Sequence, residues 1–183
     1  MPQPLTQLAQ SVAGLLLQKR LKIVFAESCT AGLISATLGR VPGISDWLCG
    51  SSVVYQLATK TAWLDVSTSL LNQYGAVSEP VAQAMVEGAL AHTPAADVAA
   101  AITGHLGPQA PPAQDGLVYV GLAARGRFCR VIEYRIPHLD LAGLPGKFPG
   151  ETLREQRQWL ATEFVLECLV QAINAGDCDQ PST

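Results

Sequence analysis

The chain has 183 residues, 49% of them hydrophobic and only 15% charged, which is enough for one domain with a full core and excludes a disordered or coiled-coil chain. A net charge of −3 with no basic run excludes a nucleic-acid partner, and five widely spaced cysteines without a C-x-x-C pair argue against a zinc site or a disulfide framework. No basic, then apolar leader opens the chain and no apolar run nears the ~18 residues of a membrane span, so the expectation is a soluble, reduced, cytoplasmic protein without a membrane partner. Sparse charge also fits an oligomer with buried interfaces.

Leu5, Leu8, Val12, Leu15 and Leu16 share one helical face and predict a first helix over 4–19. Leu21 to Ala26 reads as a buried strand that ends in Glu27-Ser-Cys-Thr-Ala-Gly32, with a helix over 30–39 behind it. A strand, a polar turn and a helix start direct free N–H groups and hydroxyls at one spot, which suits an anion or a developing oxyanion. The plainer reading makes Ser28 or Thr30 a helix cap. Cys49 to Tyr55 reads as a second strand, and Ala58 to Leu64 and Ser67 to Tyr74 as short helices. Ser78-Glu-Pro80 predicts a helix start with Ser78 as cap, running to Ala91.

Asp97 to Thr103 lacks alternation, as a strand buried on both faces does. Gly104 to Asp115 is loop. Gly116 to Ala124 and Arg127 to Ile136 form a hairpin about Arg125-Gly126, and Pro137 to Gly150 is a second irregular loop. The last helix, over 152–175, carries Leu160, Phe164, Cys168 or Leu169, and Ile173 on one stripe, and the tail 176–183 is expected to fray. Interleaved helices and strands closing in a hairpin predict a single domain over 1–175, a three-layer α/β/α sandwich on a mixed sheet of about five strands. Ligands of open α/β sheets sit at the carboxyl ends of strands, so the turns at 27–32, 55–60 and 103–108 converge on a candidate site.

There is no P-loop and no G-x-S-x-G elbow, and His92, His105 and His138 lack metal-ligand spacing. A serine nucleophile then needs another base. Lys60, in the first turn of the helix after the second strand, is the candidate, because a helix amino terminus and burial both favour its neutral form. Tyr55 could relay the proton. Cys29 is a rival nucleophile beside Ser28, although a free cysteine is more often a buried structural thiol.

Ala26-Glu-Ser-Cys-Thr-Ala-Gly32, Val41-Pro-Gly-Ile-Ser45, Gly50 to Lys60, Tyr74-Gly-Ala-Val-Ser-Glu79, and Ala101-Ile-Thr-Gly104 with Gly107-Pro108 stand in the order and spacing of one family. On these motifs the sequence resembles the carboxy-terminal domain of the competence/damage-inducible protein CinA, the nicotinamide-nucleotide amidases. The resemblance implies hydrolysis of the carboxamide of nicotinamide mononucleotide to nicotinic acid mononucleotide and ammonia, with no metal or other cofactor and commonly in an oligomer. It makes Ser28 the nucleophile, with Tyr55 and Lys60 assisting. Glu27, Cys29, Thr30, Ala31, Gly32, Thr103, Gly104, Arg154 and Arg157 are expected at the substrate, either arginine neutralising its phosphate.

The sequence departs from the family at Ala31, at Gln56-Leu57, at His105-Leu106 and Gln109-Ala110, and at Gly150 to Arg154, where a G-D-R is replaced. These changes motivate an alternative reading as a catalytically degenerate nucleotide-binding or oligomeric interaction protein of the same fold. A second alternative is an amidase for a different small amide.

Overall fold

The computed structural model describes residues 5–126, 128–137 and 152–176. Its centre is one mixed sheet of β1 (Ile23–Glu27), β2 (Leu48–Val53), β3 (Val98–Gly104), β4 (Leu117–Ala124) and β5 (Phe128–Arg135). The spatial order is β2-β1-β3-β4-β5. β1 runs parallel to β2 and β3, while β4 and β5 are antiparallel additions on the β3 side. The expected three-layer sandwich and strand count are therefore found.

Strand periodicity divides the core in two. Ile23, Phe25, Val98, Ala100 and Ile102 face one way, into a cluster with α1 (Leu5–Lys19), α2 (Leu33–Leu38) and α6 (Leu153–Asn174). Val24, Ala26, Ala99 and Ala101 face the other, against α3 (Leu57–Leu64), α4 (Thr68–Tyr74) and α5 (Glu79–His92). β1 and β3 are covered on both faces, which is why their sequences do not alternate between apolar and polar. α5 crosses the end of α3 so closely that a Cβ on Gly88 would lie 2.0 Å from the Leu64 carbonyl oxygen. That close packing fixes α3, the helix that carries Lys60.

Three expectations need correction. Ser78 does not cap α5, because its hydroxyl donates instead to the Gly75 carbonyl at 3.1 Å. The helix expected from residue 30 begins at Leu33, since Ala31 and Gly32 both have positive φ, at 53° and 94°, and cannot join it. The stripe of α6 holds at Cys168, Leu169 and Ile173, which are buried, but in its first half the buried residues are Arg157, Ala161 and Val165, whereas Leu160 and Phe164 only flank the core. Phe164 stacks on Tyr134 with ring centroids 4.0 Å apart. The loop over 137–150, from residue 138, and the tail from residue 177 lie outside the described residues.

Candidate functional site

β1 delivers Glu27 and Ser28 to the carboxyl edge of the sheet. Glu27 is fully buried, and its carboxylate accepts from the Thr30 hydroxyl at 2.9 Å and from the Ser51 hydroxyl and the Ile34 and Ser35 N–H groups, each at 3.0 Å. The start of α2 is thereby capped from within the protein. The free anion site expected at that helix end is already filled by Glu27, and this carboxylate is a scaffold group with no face to a ligand. Thr30, Ala31 and Gly32 also stand outside the cavity described next, Thr30 being buried and bound to Glu27.

Ser28 and Lys60 both line one cavity of about 230 Å³ at this edge, with Cys29, Tyr55, Thr103, Gly104, the loop 105–110 and Arg154. Two larger depressions, about 460 Å³ beside Leu17 and Trp47 and about 390 Å³ beside Cys129, collect no comparable set of reactive groups. Chemistry, not size, identifies the site. Ser28 lies on the turn that follows β1, where its N–H donates to the Ile102 carbonyl at 3.1 Å and its own carbonyl accepts from Ala31 N–H at 3.1 Å. Among the described residues, the N–H groups of Cys29 and Thr30 meet no backbone acceptor.

Lys60 is 1% exposed, and its ammonium donates to the Val54 carbonyl at 2.8 Å and lies 3.6 Å from the Met85 sulfur. Neither partner carries a charge. Burial lowers its pKa from 10.5 to about 8, so a substantial fraction is neutral near pH 8. Cys29 is the opposite case: burial pushes its thiol up to about 12, and it stays protonated. Burial thus disfavours the thiolate that a cysteine nucleophile would need.

Tyr55 is half-exposed at the rim, and its hydroxyl accepts from one Arg154 nitrogen while the other donates to the Gly107 carbonyl at 2.8 Å. Arg154 therefore spans the cavity mouth from α6 to the end of β2 and the loop after β3. Thr103 lines the cavity with its hydroxyl committed to the Ala76 carbonyl at 2.7 Å, and Gly104 lies so close to β4 that a Cβ would meet the Leu117 carbonyl at 2.7 Å. Arg157 is not in the cavity. It is 1% exposed and grips Asp115 with two bonds of 2.6 and 2.7 Å beneath the loop, so the alternative of Arg157 as the phosphate partner is corrected.

Sequence reasoning missed Gln158, whose side-chain amide donates to the Cys29 carbonyl at 3.0 Å. No motif contains it; the signal is its place one helical turn after Arg154. No group of three or more His, Cys, Asp or Glu could hold a metal among the described residues, and no helix there is long and apolar enough to cross a membrane.

Residues 5–140 match the family model of the CinA C-terminal domain. A CinA-like protein of Dictyoglomus thermophilum is 44% identical over 123 residues, 66% of this chain and 30% of that protein. A CinA-like protein of Syntrophotalea carbinolica is 42% identical over 130 residues, 70% of this chain and 31% of that protein. The chain thus spans about a third of the length of these curated relatives. Among solved structures, the competence/damage inducible protein CihA of Agrobacterium tumefaciens superposes with a TM-score of 0.81 at 30% identity, covering 95% of this chain and 98% of that one. A CinA superfamily protein of Klebsiella pneumoniae gives a TM-score of 0.82 at 24% identity, covering 94% and 99%. The chain belongs to the CinA C-terminal domain family.

Proposed function

We propose that the chain hydrolyses the carboxamide of a pyridine mononucleotide, nicotinamide mononucleotide being the substrate the family resemblance favours. The observation that carries this reading is a buried lysine with only neutral partners, lining the same cavity as a serine at a strand-end turn. Neutral Lys60 takes the proton as Ser28 Oγ attacks the amide carbon. The tetrahedral oxyanion is received by N–H groups of the turn after Ser28. Collapse of that intermediate breaks the C–N bond, and the proton returns by way of Lys60 and Tyr55 to the departing ammonia. Water then attacks the acyl-serine, with Lys60 again as base, and releases the carboxylate.

A cavity of about 230 Å³ lies below the ~300–1,000 Å³ usual for a drug-sized ligand. It suits a pyridine ring with its amide inside and the ribose phosphate at the mouth, where Arg154 is the available cation. Binding of the phosphate would exchange one of the Arg154 bonds to Tyr55 or Gly107. Ammonia release from nicotinamide mononucleotide, nicotinamide riboside and free nicotinamide tests the reading. Turnover of the mononucleotide that is lost in Ser28→Ala supports it, and equal rates in the two proteins remove Ser28 from the mechanism. Release from the neutral amides alone would keep the chemistry and reject the phosphate.

A further inference from the structure

The first turns of α6 reach three walls of the cavity: Arg154 holds Tyr55 and Gly107, Arg157 lies under the same loop, and Gln158 holds the turn that follows Ser28. Gln158 and Cys29 are 129 positions apart in sequence, and their bond is partly buried. What it holds is the carbonyl of the peptide between Cys29 and Thr30. That peptide is trans, the one cis bond among the described residues being Gly107-Pro108. In a planar trans peptide the N–H points opposite the carbonyl. Anchoring the Cys29 oxygen to α6 therefore turns the Thr30 N–H away from α6 and holds Cys29 itself, which lines the cavity and whose own N–H has no backbone acceptor among the described residues.

We infer that Gln158 is a positioning residue, which pins Cys29 through its carbonyl and so holds the Ser28–Cys29 segment, with the Cys29 N–H at the cavity wall, in place for a developing oxyanion. The inference rests on the amidase reading of the site. Its physical basis is that an oxyanion donor contributes to rate through being held in place before charge develops. Glu27 holds the far end of the same turn through Thr30 Oγ1, Ile34 N–H and Ser35 N–H, but touches neither Ser28 nor the Cys29 carbonyl. Rotation of the Cys29–Thr30 peptide is opposed by Gln158.

The test compares Gln158→Glu, equal in size but unable to donate at neutral pH, with Gln158→Lys, which keeps a donor. Two readouts are taken on the full chain: steady-state kinetics on nicotinamide mononucleotide, and the rate at which a fluorophosphonate labels Ser28. Labelling uses the same hydroxyl and the same oxyanion donors, but no amide. The expected result is a fall of about tenfold to a hundredfold in kcat and in labelling rate for Gln158→Glu, with KM within about threefold, a melting temperature near wild type, and partial recovery in Gln158→Lys. Wild-type rates in Gln158→Glu overturn the inference. So does a loss that matches a fall in folded fraction, and so does a wild-type Ser28 that no fluorophosphonate labels. A wild type that is labelled at Ser28 but releases no ammonia from the mononucleotide rejects that substrate, and the labelling rates then decide on Gln158 alone.

Discussion

The turn after β1 and the loop after β3 leave neighbouring parallel strands at the same edge, yet they are held in different ways. The turn is fixed mainly by Glu27, the last residue of its own strand, which collects four hydrogen bonds from residues 30 to 51, with Gln158 adding a single distant one. The loop is fixed from far along the chain, by Arg154 on Gly107 and by Arg157 through Asp115. Both carry a non-glycine residue at positive φ, Ala31 at 53° and Gln109 at 70°, each at a position where the sequence departs from the family. The difference teaches where each wall gets its support. The wall carrying Ser28 and Lys60, the reacting wall of the proposed mechanism, is built mostly from β1, its turn and α3, with one tie to α6 through Gln158. The loop wall proposed for recognition hangs on α6 through two arginines. The first wall should fail in rate when altered, and the second in KM.

The largest effect is expected at Lys60, which serves the reacting wall. Lys60→Met should lower kcat about a thousandfold, because the base is lost while the cavity keeps its shape. The same substitution should raise stability near pH 7, by roughly 1–2 kcal/mol, since a buried ammonium with no anionic partner is removed. The sign follows from the lowered pKa. Between about 8 and 10.5 the unfolded chain holds a proton that the folded chain has released, so stability rises with pH across that window and below it the full burial cost remains. In wild type, log kcat/KM should climb with unit slope to a plateau beginning near pH 8. A flat profile from pH 6 to 9 would remove Lys60 as the base.

Glu27→Gln comes next, because the amide cannot accept from all four donors. About 2–4 kcal/mol of stability should be lost in denaturant unfolding, together with most of kcat. Arg157→Met, on the recognition wall, should cost about 2–3 kcal/mol by leaving Asp115 without its bidentate partner. It should raise KM more than it lowers kcat, and a pure kcat defect would erase the contrast between the two walls. The smallest effect is a gain: Ala31→Gly relieves a left-handed alanine and should stabilise by about 0.5–1 kcal/mol, read as a small rise in melting temperature.

How much of this was legible in the sequence follows from particular residues. β1, its turn and the meeting of Ser28, Tyr55 and Lys60 at one cavity were readable because a buried strand, a polar break and a helix start are all local signals. The role of Glu27 was not, since an acid at a strand end can face solvent or the interior. That β1 is covered on both faces decides the matter, and the missing alternation was its trace. Arg157 of α6 shows what an apolar stripe overlooks. It stands three residues before Leu160 and seven before Phe164, on the same side of the helix, but a charged side chain is not counted in such a stripe, and small Ala161 on the buried ridge 157, 161, 165, 169 is not flagged by size. Once the ridge is drawn correctly, Arg157 must be inside and paired. Gln158 belongs to no motif, and only the packing of α6 brings it to Cys29.

The central claim is that the Ser28 hydroxyl and the Lys60 amine form one reacting unit, and mass spectrometry of the protein quenched during turnover of nicotinamide mononucleotide tests it most directly. The account predicts an acyl adduct on Ser28 in wild type that Lys60→Met and Ser28→Ala both fail to form. An adduct on any other residue, or steady ammonia release from Ser28→Ala, would contradict it.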